Sequence, residues 1–471
     1  MSAPVIWWVR KDLRLADSPA LTAALALGGP VVPVFVLDEV FSGYGACPRW
    51  RLGLGVEALG AVLEGLGSRL VLRRGRALDV LAELAEETGA KAVRWCRAYD
   101  AAQVARDKAV KAGLAARGVD AASVAGQLLC EPWDVETGQG RPYRVFTPYW
   151  RAVRGREVPA PLPRPGRIPA PKVWPASEAA ADWGLAKAMG RGAAVVLPHM
   201  AVGEDAAAAR LKRFLGEGIA EYAGARDFPG RAGTSRLSEN LAWGEISARA
   251  CWHAGWQAME AGARGAEAFL RELVWREFAY HLAWHWPDIG AENWRREWDG
   301  FPWAMDGGAP EVLAWKRGRT GLRLVDAAMR ELYVTGTMHN RSRMVVASFL
   351  TKHLLTDWRV GLKWFADCLA DWDPASNAMG WQWVAGSGPD AAPFFRIFNP
   401  EAQAAKFDPG GAYAGRWLAE GAAEPEPEAL AYFDAAPRAW GLSAEDAYPE
   451  PVVDLGTARA RALEAYVRRC G

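Results

Sequence analysis

Short apolar runs alternate with helix-patterned stretches over the first 130 residues. The runs lie at 5–10, 31–38, 69–73 and 92–95, and residues 78–88 carry Ala, Leu and Glu at helical spacing. Short, continuously apolar runs are typical of strands buried on both faces of a parallel sheet. The pattern predicts an α/β domain over residues 1–130 with a parallel, Rossmann-like sheet. No GxGxxG motif follows the first run, which argues against an ordinary dinucleotide site.

The rest of the chain changes character twice. Prolines crowd residues 159–175 without an apolar period, which predicts a linker over 131–200. From 201 to 471 the apolar positions recur at helical spacing, which predicts an all-α domain. The predicted helical stretches are 206–216, 239–259, 267–285, 312–336, 340–355 and 360–371.

Composition narrows the classes of protein. A chain of 471 residues favours two domains, and a net charge of +1 excludes a uniformly basic DNA-packing protein but permits a local basic groove. We expect no signal peptide and no membrane span, because no cleavage pattern or apolar run of about 18 residues is present. The six cysteines form no CxxC pair, so we expect no metal site and a reducing cytoplasm. The 25 tryptophans are unusually many and suit packing, stacking or electron relay.

The first candidate motif is the segment GTSRLSEN at 233–240, which precedes a helical stretch. Hydroxyls and free backbone N–H groups at a helix start suit an anionic ligand. An ordinary helix cap without a ligand explains the same residues, so both interpretations stay open.

The second candidate lies at 271–281. On a helix, Glu272, Trp275, Arg276 and Ala279 share one face. A carboxylate beside a tryptophan could hydrogen-bond and stack a nucleobase. The alternative is an amphipathic helix with a surface Glu–Arg pair.

The third candidate lies at 338–344. Asn340, Arg343 and Met344 fall on one side of a helix and offer planar donors beside a soft apolar group. Arg341 points elsewhere and could hold a phosphate. We interpret His339 as structural.

The fourth candidate, 371–383, holds two carboxylates, an amide and several tryptophans. Its proline and small residues predict a turn packed against something flat. The carboxylates of Asp371 and Asp373 could accept hydrogen bonds from a heterocyclic cofactor, and the amide of Asn377 could tune it. A capped loop is the alternative.

These motifs stand in an order that resembles the photolyase/cryptochrome family, and the resemblance covers nearly the whole chain. It rests on RKDLR at 10–14, VFTP at 145–148, GTSRLS at 233–238, WREF at 275–278, TG at 320–321, VDAAMR at 325–330, MHNR at 338–341, GWQW at 380–383 and RIFNP at 396–400. Within the family the chain looks like a class I cyclobutane pyrimidine dimer photolyase. The resemblance implies light-driven repair of DNA, in which reduced FAD in the helical domain donates an electron to a flipped-out dimer.

The resemblance also implies roles for individual residues. FAD would be held by Tyr222, Thr234, Ser235, Arg236, Leu237, Ser238, Arg343, Asp371, Trp372 and Asp373. The lesion chemistry would involve Glu272, Asn340, Met344 and Asn377, with Asn377 facing flavin N5. Electrons would reach the flavin along Trp303, Trp358 and Trp381, from the surface inward. DNA would be contacted by Arg226, Glu272, Trp275, Arg276, Asn340, Arg341 and Gln403.

Some positions depart from the family pattern and some alternatives stay open. Thr337 and Phe269 stand where tryptophans are common. Near 97–103 the expected folate ligands do not align, and a deazaflavin antenna is equally compatible with Asp38 and Arg49. A cryptochrome photoreceptor and a (6-4) photolyase are the alternatives, although the latter expects histidines where Asn340 and Met344 stand. The expected partner is damaged DNA, and the expected state is a cytoplasmic monomer.

Overall fold

A parallel five-stranded sheet forms the N-terminal part of the computed structural model, which describes residues 2–392, 394 and 396–470. Its strands are β1 Val5–Val9, β2 Val31–Leu37, β3 Val71–Arg74, β4 Ala92–Cys96 and β5 Asp120–Val124. Their order is β3-β2-β1-β4-β5. The order reverses between β1 and β4, where doubly wound sheets open a crevice at the carboxyl ends of the strands.

The four predicted strands are confirmed, and burial explains their sequences. Every residue of β1, β2 and β4 is buried, because helices cover both faces of the sheet. The pattern does not predict β5, since this edge strand contains only one large apolar residue, Val124, and is at most partly buried. The helices of this part are α1 Pro19–Leu25, α2 Glu39–Ser42, α3 Ala46–Gly65, α4 Ala77–Thr88 and α5 Ala101–Ala115.

The remainder is largely helical, as predicted, and its described residues contain only isolated β-bridges. The helices are α6 Phe146–Arg154, α7 Gly192–Val196, α8 Glu204–Arg213, α9 Tyr222–Ala225, α10 Ser238–Trp243, α11 Ala248–Glu260, α12 Ala266–His285, α13 Pro310–Lys316, α14 Arg323–Thr335, α15 Asn340–Ser348, α16 Trp358–Cys368, α17 Pro374–Ala385, α18 Pro400–Phe407, α19 Ala412–Trp417, α20 Pro427–Ala435 and α21 Leu455–Cys470. Throughout the described ranges, no helix is long and apolar enough to cross a bilayer.

The predicted helix over 239–259 is wrong in one respect, because it is two helices. The chain breaks at Gly244, whose φ is +67°. A Cβ at Gly244 would lie 2.1 Å from the carbonyl oxygen of Lys11. The close approach of the two parts of the protein therefore requires glycine and ends α10 there.

Two further predicted elements differ. The stretch 312–336 divides into α13 and α14, because Gly318 and Gly321 take positive φ values of 55° and 78°. The turn predicted over 371–383 is mostly the helix α17. Its start follows local rules, since Asp373 accepts a hydrogen bond from the Ser376 N–H at 2.8 Å and proline occupies the first turn.

A buried ion cluster joins α3 to the helical part. Arg51 is fully buried and donates to Glu239 at 2.5 Å and to Glu245 at 2.7 Å. Burying a charge is costly unless it is paired, so two carboxylates around one guanidinium fix the position of α10 against α3. This contact also positions the GTSRLS segment, which leads directly into α10.

Candidate active site

A cavity of about 580 Å³ lies in the helical part, and the four candidate motifs meet on its wall. The predicted residues on this wall are Tyr222, Arg226, Thr234, Ser235, Arg236, Leu237, Ser238, Glu272, Trp275, Arg276, Asn340, Arg343, Met344, Asp371, Asn377 and Trp381. Segments more than 100 residues apart in sequence therefore form one site. Its size suits a cofactor or a nucleotide-sized ligand.

One side of the cavity presents a carboxylate held by an arginine. Glu272 on α12 accepts a hydrogen bond from Arg226 at 2.5 Å, and both side chains are partly exposed. Burial lowers the pKa of Arg226, but the hydrogen bond and charge of Glu272 outweigh it, so the pKa is raised above its usual value. The pair keeps Glu272 in one orientation and leaves its second oxygen for a ligand.

Trp275 lies beside Glu272 with its ring fixed. One face stacks on Phe146 of α6, with centroids 3.6 Å apart and an interplanar angle of 7°. A ring that is already oriented loses little conformational entropy when it stacks on a ligand. The burial of α6 against α12 thus preorganises this part of the wall.

The helix α15 contributes the opposite wall. Arg343 donates to the Met338 carbonyl oxygen at 2.8 Å and to Asp371 at 2.7 Å. The Asn340 amide lies 4.0 Å from the Met344 sulfur. His339 caps the helix, and burial lowers its pKa to about 4, so the ring is neutral at pH 7.

Two buried polar atoms on this wall have no hydrogen-bond partner within the described residues. They are Asp371 Oδ1 and Trp381 Nε1. Leaving such groups unpaired costs about 1–3 kcal/mol each. His339 is satisfied instead, because Nδ1 accepts from the Arg341 N–H and the protonated Nε2 faces the Arg226 backbone. One unpaired acceptor and one unpaired donor on a single cavity wall suit a bound polar heterocycle.

The start of α17 organises the floor of the cavity. Asp373 accepts from the Tyr280 hydroxyl at 2.6 Å, and its own carbonyl oxygen accepts from the Asn377 amide at 3.0 Å. Burial alone would raise the pKa of Asp373, but the nearby cations Lys11 and Arg276 outweigh it and lower the pKa. Asp373 thus remains ionised and positions Asn377.

Two residues predicted to bind the cofactor do not line the cavity. The oxygens of Asp373 are used by Tyr280 and by the cap of α17. Trp372 packs into the hydrophobic core. The sequence places both residues within one motif, but Asp373 caps α17 and Trp372 packs in the core, while Asp371 and Asn377 line the cavity.

The three tryptophans predicted to carry electrons are all buried, so Trp303 does not lie on the surface as predicted. Trp381 lies on the wall and packs against Gly361, where a Cβ would lie 2.1 Å from its ring. Trp358, one turn earlier on α16, is fully buried and donates to Asn293 at 2.8 Å. A β-bridge between Ala304 and Thr356 brings the segment that carries Trp303 alongside. The Trp381 ring also lies near Phe365 and Trp315, at 4.9 and 6.2 Å.

The residues predicted to contact DNA occupy different environments. Arg341 pairs with Asp227 at 2.9 Å and stacks over Phe407, outside the cavity wall. Gln403 on α18 also lies outside the wall, and its buried Oε1 has no partner among the described residues. Arg276 faces inward, where it donates to the Gln127 carbonyl oxygen and to Glu277, both at 3.1 Å.

Sequence reasoning misses several residues of the wall. Glu331, Thr335 and His339 line the cavity, and burial raises the pKa of Glu331, which accepts from the Tyr413 hydroxyl at 2.5 Å. Glu331 directly follows the VDAAMR motif, which is the one signal that could have found it. His199 and Arg210 come from the segment before α9, where no motif indicates them.

The region considered for an antenna lies at the carboxyl end of β2. Asp38 is buried, accepts from Arg106 at 2.7 Å and caps α2. Arg49 instead donates to the Ser42 carbonyl oxygen at 2.9 Å. The sequence does not indicate Arg106 as the partner of Asp38, because the two residues are 68 positions apart.

Comparison with known proteins identifies the family. A family described as DNA photolyase matches residues 5–166, and the FAD binding domain of DNA photolyase matches residues 269–468. A deoxyribodipyrimidine photo-lyase of Agrobacterium fabrum is 47% identical over 99% of this chain and 98% of its own length. The chain belongs to the DNA photolyase/cryptochrome family. Cryptochrome-1 of Arabidopsis thaliana, another member, is 34% identical over 98% of the chain and 70% of its own length.

A solved photolyase structure also superposes closely on this chain. The crystal structure of a bacterial class III photolyase from Agrobacterium tumefaciens superposes with a TM-score of 0.91 at 46% identity, over 100% of this chain and 98% of that one. The expected class I is therefore not confirmed. FAD suits the cavity, because the unpaired atoms of Asp371 and Trp381 can hydrogen-bond the polar groups of such a cofactor.

Proposed function

We propose that this protein repairs cyclobutane pyrimidine dimers in DNA under light, with FAD as its cofactor. The observation that carries the proposal is that Glu272, Trp275, Asn340 and Met344 share one cavity with Thr234–Ser238, Arg343 and Asp371. Groups that can bind a lesion and groups that can bind FAD thus line one cavity. A dimer is already poorly stacked, so moving it out of the duplex costs less than moving normal bases.

The FAD ligands are Tyr222, Arg343, Asp371 and the hydroxyl-bearing segment 234–238. The chemistry that reduced FAD supplies when bound is donation of an electron under blue light. Arg343 and Asp371 hold each other at 2.7 Å, so both are oriented before the cofactor binds. Asn377 is fixed by the Asp373 carbonyl oxygen and would face the flavin ring.

Glu272 hydrogen-bonds the dimer, and Trp275 stacks on it. The Arg226 pair and the Phe146 stack fix both side chains beforehand. Preorganised polar groups stabilise charge best where water is excluded, and the dimer becomes charged when it gains an electron. Asn340 and Met344 complete this wall with an amide and an apolar surface.

Trp303, Trp358 and Trp381 would supply the electrons that reduce oxidised FAD. Arg226, Arg341 and Gln403 contact the DNA, together with the residues of the lesion wall, whereas Arg276 holds Gln127 and Glu277 in place. A second chromophore, a folate or a deazaflavin, binds near Asp38 and Arg49 at the carboxyl edge of the sheet. The protein acts as a monomer in the cytoplasm.

The deciding experiment is light-dependent loss of thymine dimers from an oligonucleotide, with FAD-loaded and reduced protein. Glu272→Gln should lower the repair yield per photon at unchanged FAD content, because it removes a charged partner worth about 1–3 kcal/mol. Glu267→Gln, an exposed change on the same helix, is the matched control. Absence of cyclobutane dimer repair by the unmutated protein would refute the proposal.

A cryptochrome-type photoreceptor is the second candidate, since Cryptochrome-1 of Arabidopsis thaliana is a relative over most of the chain. The same assay separates the two functions, because a photoreceptor would respond to light without dimer loss. Repair restricted to (6-4) lesions would keep the family and change the substrate.

A further inference from the structure

A second cavity, of about 490 Å³, lies apart from the active site. The start of α3, the turn Leu185–Met189, α7, α14, the end of α16 and the segment after α20 enclose it. The helix α14 separates the two cavities, since Glu331 faces the active site while Leu332 and Tyr333 face this second cavity. None of the motifs of the sequence maps to it, and the proposed repair does not use it.

The inner wall of the second cavity is apolar and partly aromatic. Val196 and Leu332 are each 1% exposed and form its base with Met189. The ring of Tyr333 packs against the rings of Trp440 and Trp364, with centroid distances of 5.2 and 6.2 Å. The Tyr333 hydroxyl makes no hydrogen bond within the described part of the chain. A flat aromatic ligand can therefore lie against this wall and hydrogen-bond the Tyr333 hydroxyl.

The rim of the second cavity is cationic. Lys187, Arg191 and Arg438 line it against one carboxylate, that of Asp367. Arg191 is committed to structure, because it donates to the Ala436 carbonyl oxygen at 2.8 Å. Asp367 accepts from the Ala46 N–H at 2.9 Å.

Lys187 and Arg438 differ from these two residues. Both are exposed, and neither has an ion pair or side-chain hydrogen bond to any residue that the structure describes. Two unpaired cations at the mouth of an apolar cavity attract an anion whose body is apolar.

We propose that this second cavity binds a planar aromatic anion of mononucleotide size. Its ring lies against Tyr333 and Leu332, and its phosphate or carboxylate meets Lys187 and Arg438. Pockets of 300–1,000 Å³ with an apolar lining and a few charged groups are typical of small-molecule sites, and this volume falls within that range. The proposal does not depend on the repair function.

The test uses FAD-loaded protein, so that the active-site cavity is filled, and measures binding by calorimetry. The probes are AMP and 1-naphthyl phosphate, with adenosine as the neutral counterpart of AMP. We expect saturable binding of both anions and weaker binding of adenosine. The double variant Lys187→Gln/Arg438→Gln should weaken AMP binding by roughly tenfold or more, because charged hydrogen bonds are lost.

Two further variants locate the site. Ala188→Trp places a large ring at the exposed mouth of the cavity and should abolish binding without disturbing the core. Lys172→Gln removes an exposed lysine elsewhere and should leave binding unchanged. The proposal is overturned if neither AMP nor 1-naphthyl phosphate binds saturably. Binding that survives Ala188→Trp at full strength, with unchanged FAD content and melting temperature, would also overturn it.

Discussion

Replacing Asp371 tests the assignment of the FAD cavity most directly. The side chain is 3% exposed, with one oxygen bonded to Arg343 at 2.7 Å and the other without a partner among the described residues. Asp371→Asn keeps the shape but removes the charge. A hydrogen bond to a charged group contributes about 1.5–3 kcal/mol, so FAD should bind roughly tenfold to a hundredfold more weakly.

The assay is reconstitution of the apoprotein with FAD, followed by quenching of flavin fluorescence. Asp371→Ala should weaken binding further, because it also leaves Arg343 without its partner. Asp367→Asn, an exposed position four residues earlier in α16, is the control and should bind FAD like the unmutated protein. The reasoning is refuted if Asp371→Asn binds FAD with unchanged affinity while its fold and melting temperature are preserved.

Three further predictions concern electron supply, DNA and pH. Trp381→Phe should keep FAD bound but block photoreduction of the oxidised cofactor, because phenylalanine is much harder to oxidise; photoreduction at the unmutated rate would contradict the assigned path. Arg341→Ala should weaken binding to damaged and undamaged DNA alike and lower the salt slope by about one, measured by fluorescence anisotropy; a loss confined to damaged DNA would place Arg341 at the lesion instead. Burial raises the pKa of Glu277 from 4.5 to about 7 against the nearby Arg276 cation, so the folded state binds a proton more tightly than the unfolded state. In urea titrations, the free energy of unfolding of the unmutated protein minus that of Glu277→Gln should therefore fall as the pH rises from 4.5 towards 7. A difference that does not change with pH would contradict the raised pKa of Glu277.

Local sequence rules account for much of the architecture. The buried strands β1, β2 and β4 are continuous apolar runs because both faces of the sheet are covered. The helical spacing at 267–285 predicts α12 nearly to its observed ends. Where prediction fails, at Gly244, the cause is a contact with Lys11, which lies 233 positions away and is invisible to any local pattern.

The sequence by itself determined the fold class, the family resemblance and about half of the residues that line the active-site cavity. These follow from the spacing of apolar positions and from the order of the motifs, which are visible in the sequence without knowledge of the tertiary contacts. Only the tertiary structure decided which motif members share a wall. Asp371 and Asn377 reach the cavity, whereas Asp373 between them is used by Tyr280 and the helix cap. The tertiary structure alone also revealed the pairing of Arg106 with Asp38 and the second cavity, because the residues that meet there are distant in sequence and come together only when the helices pack.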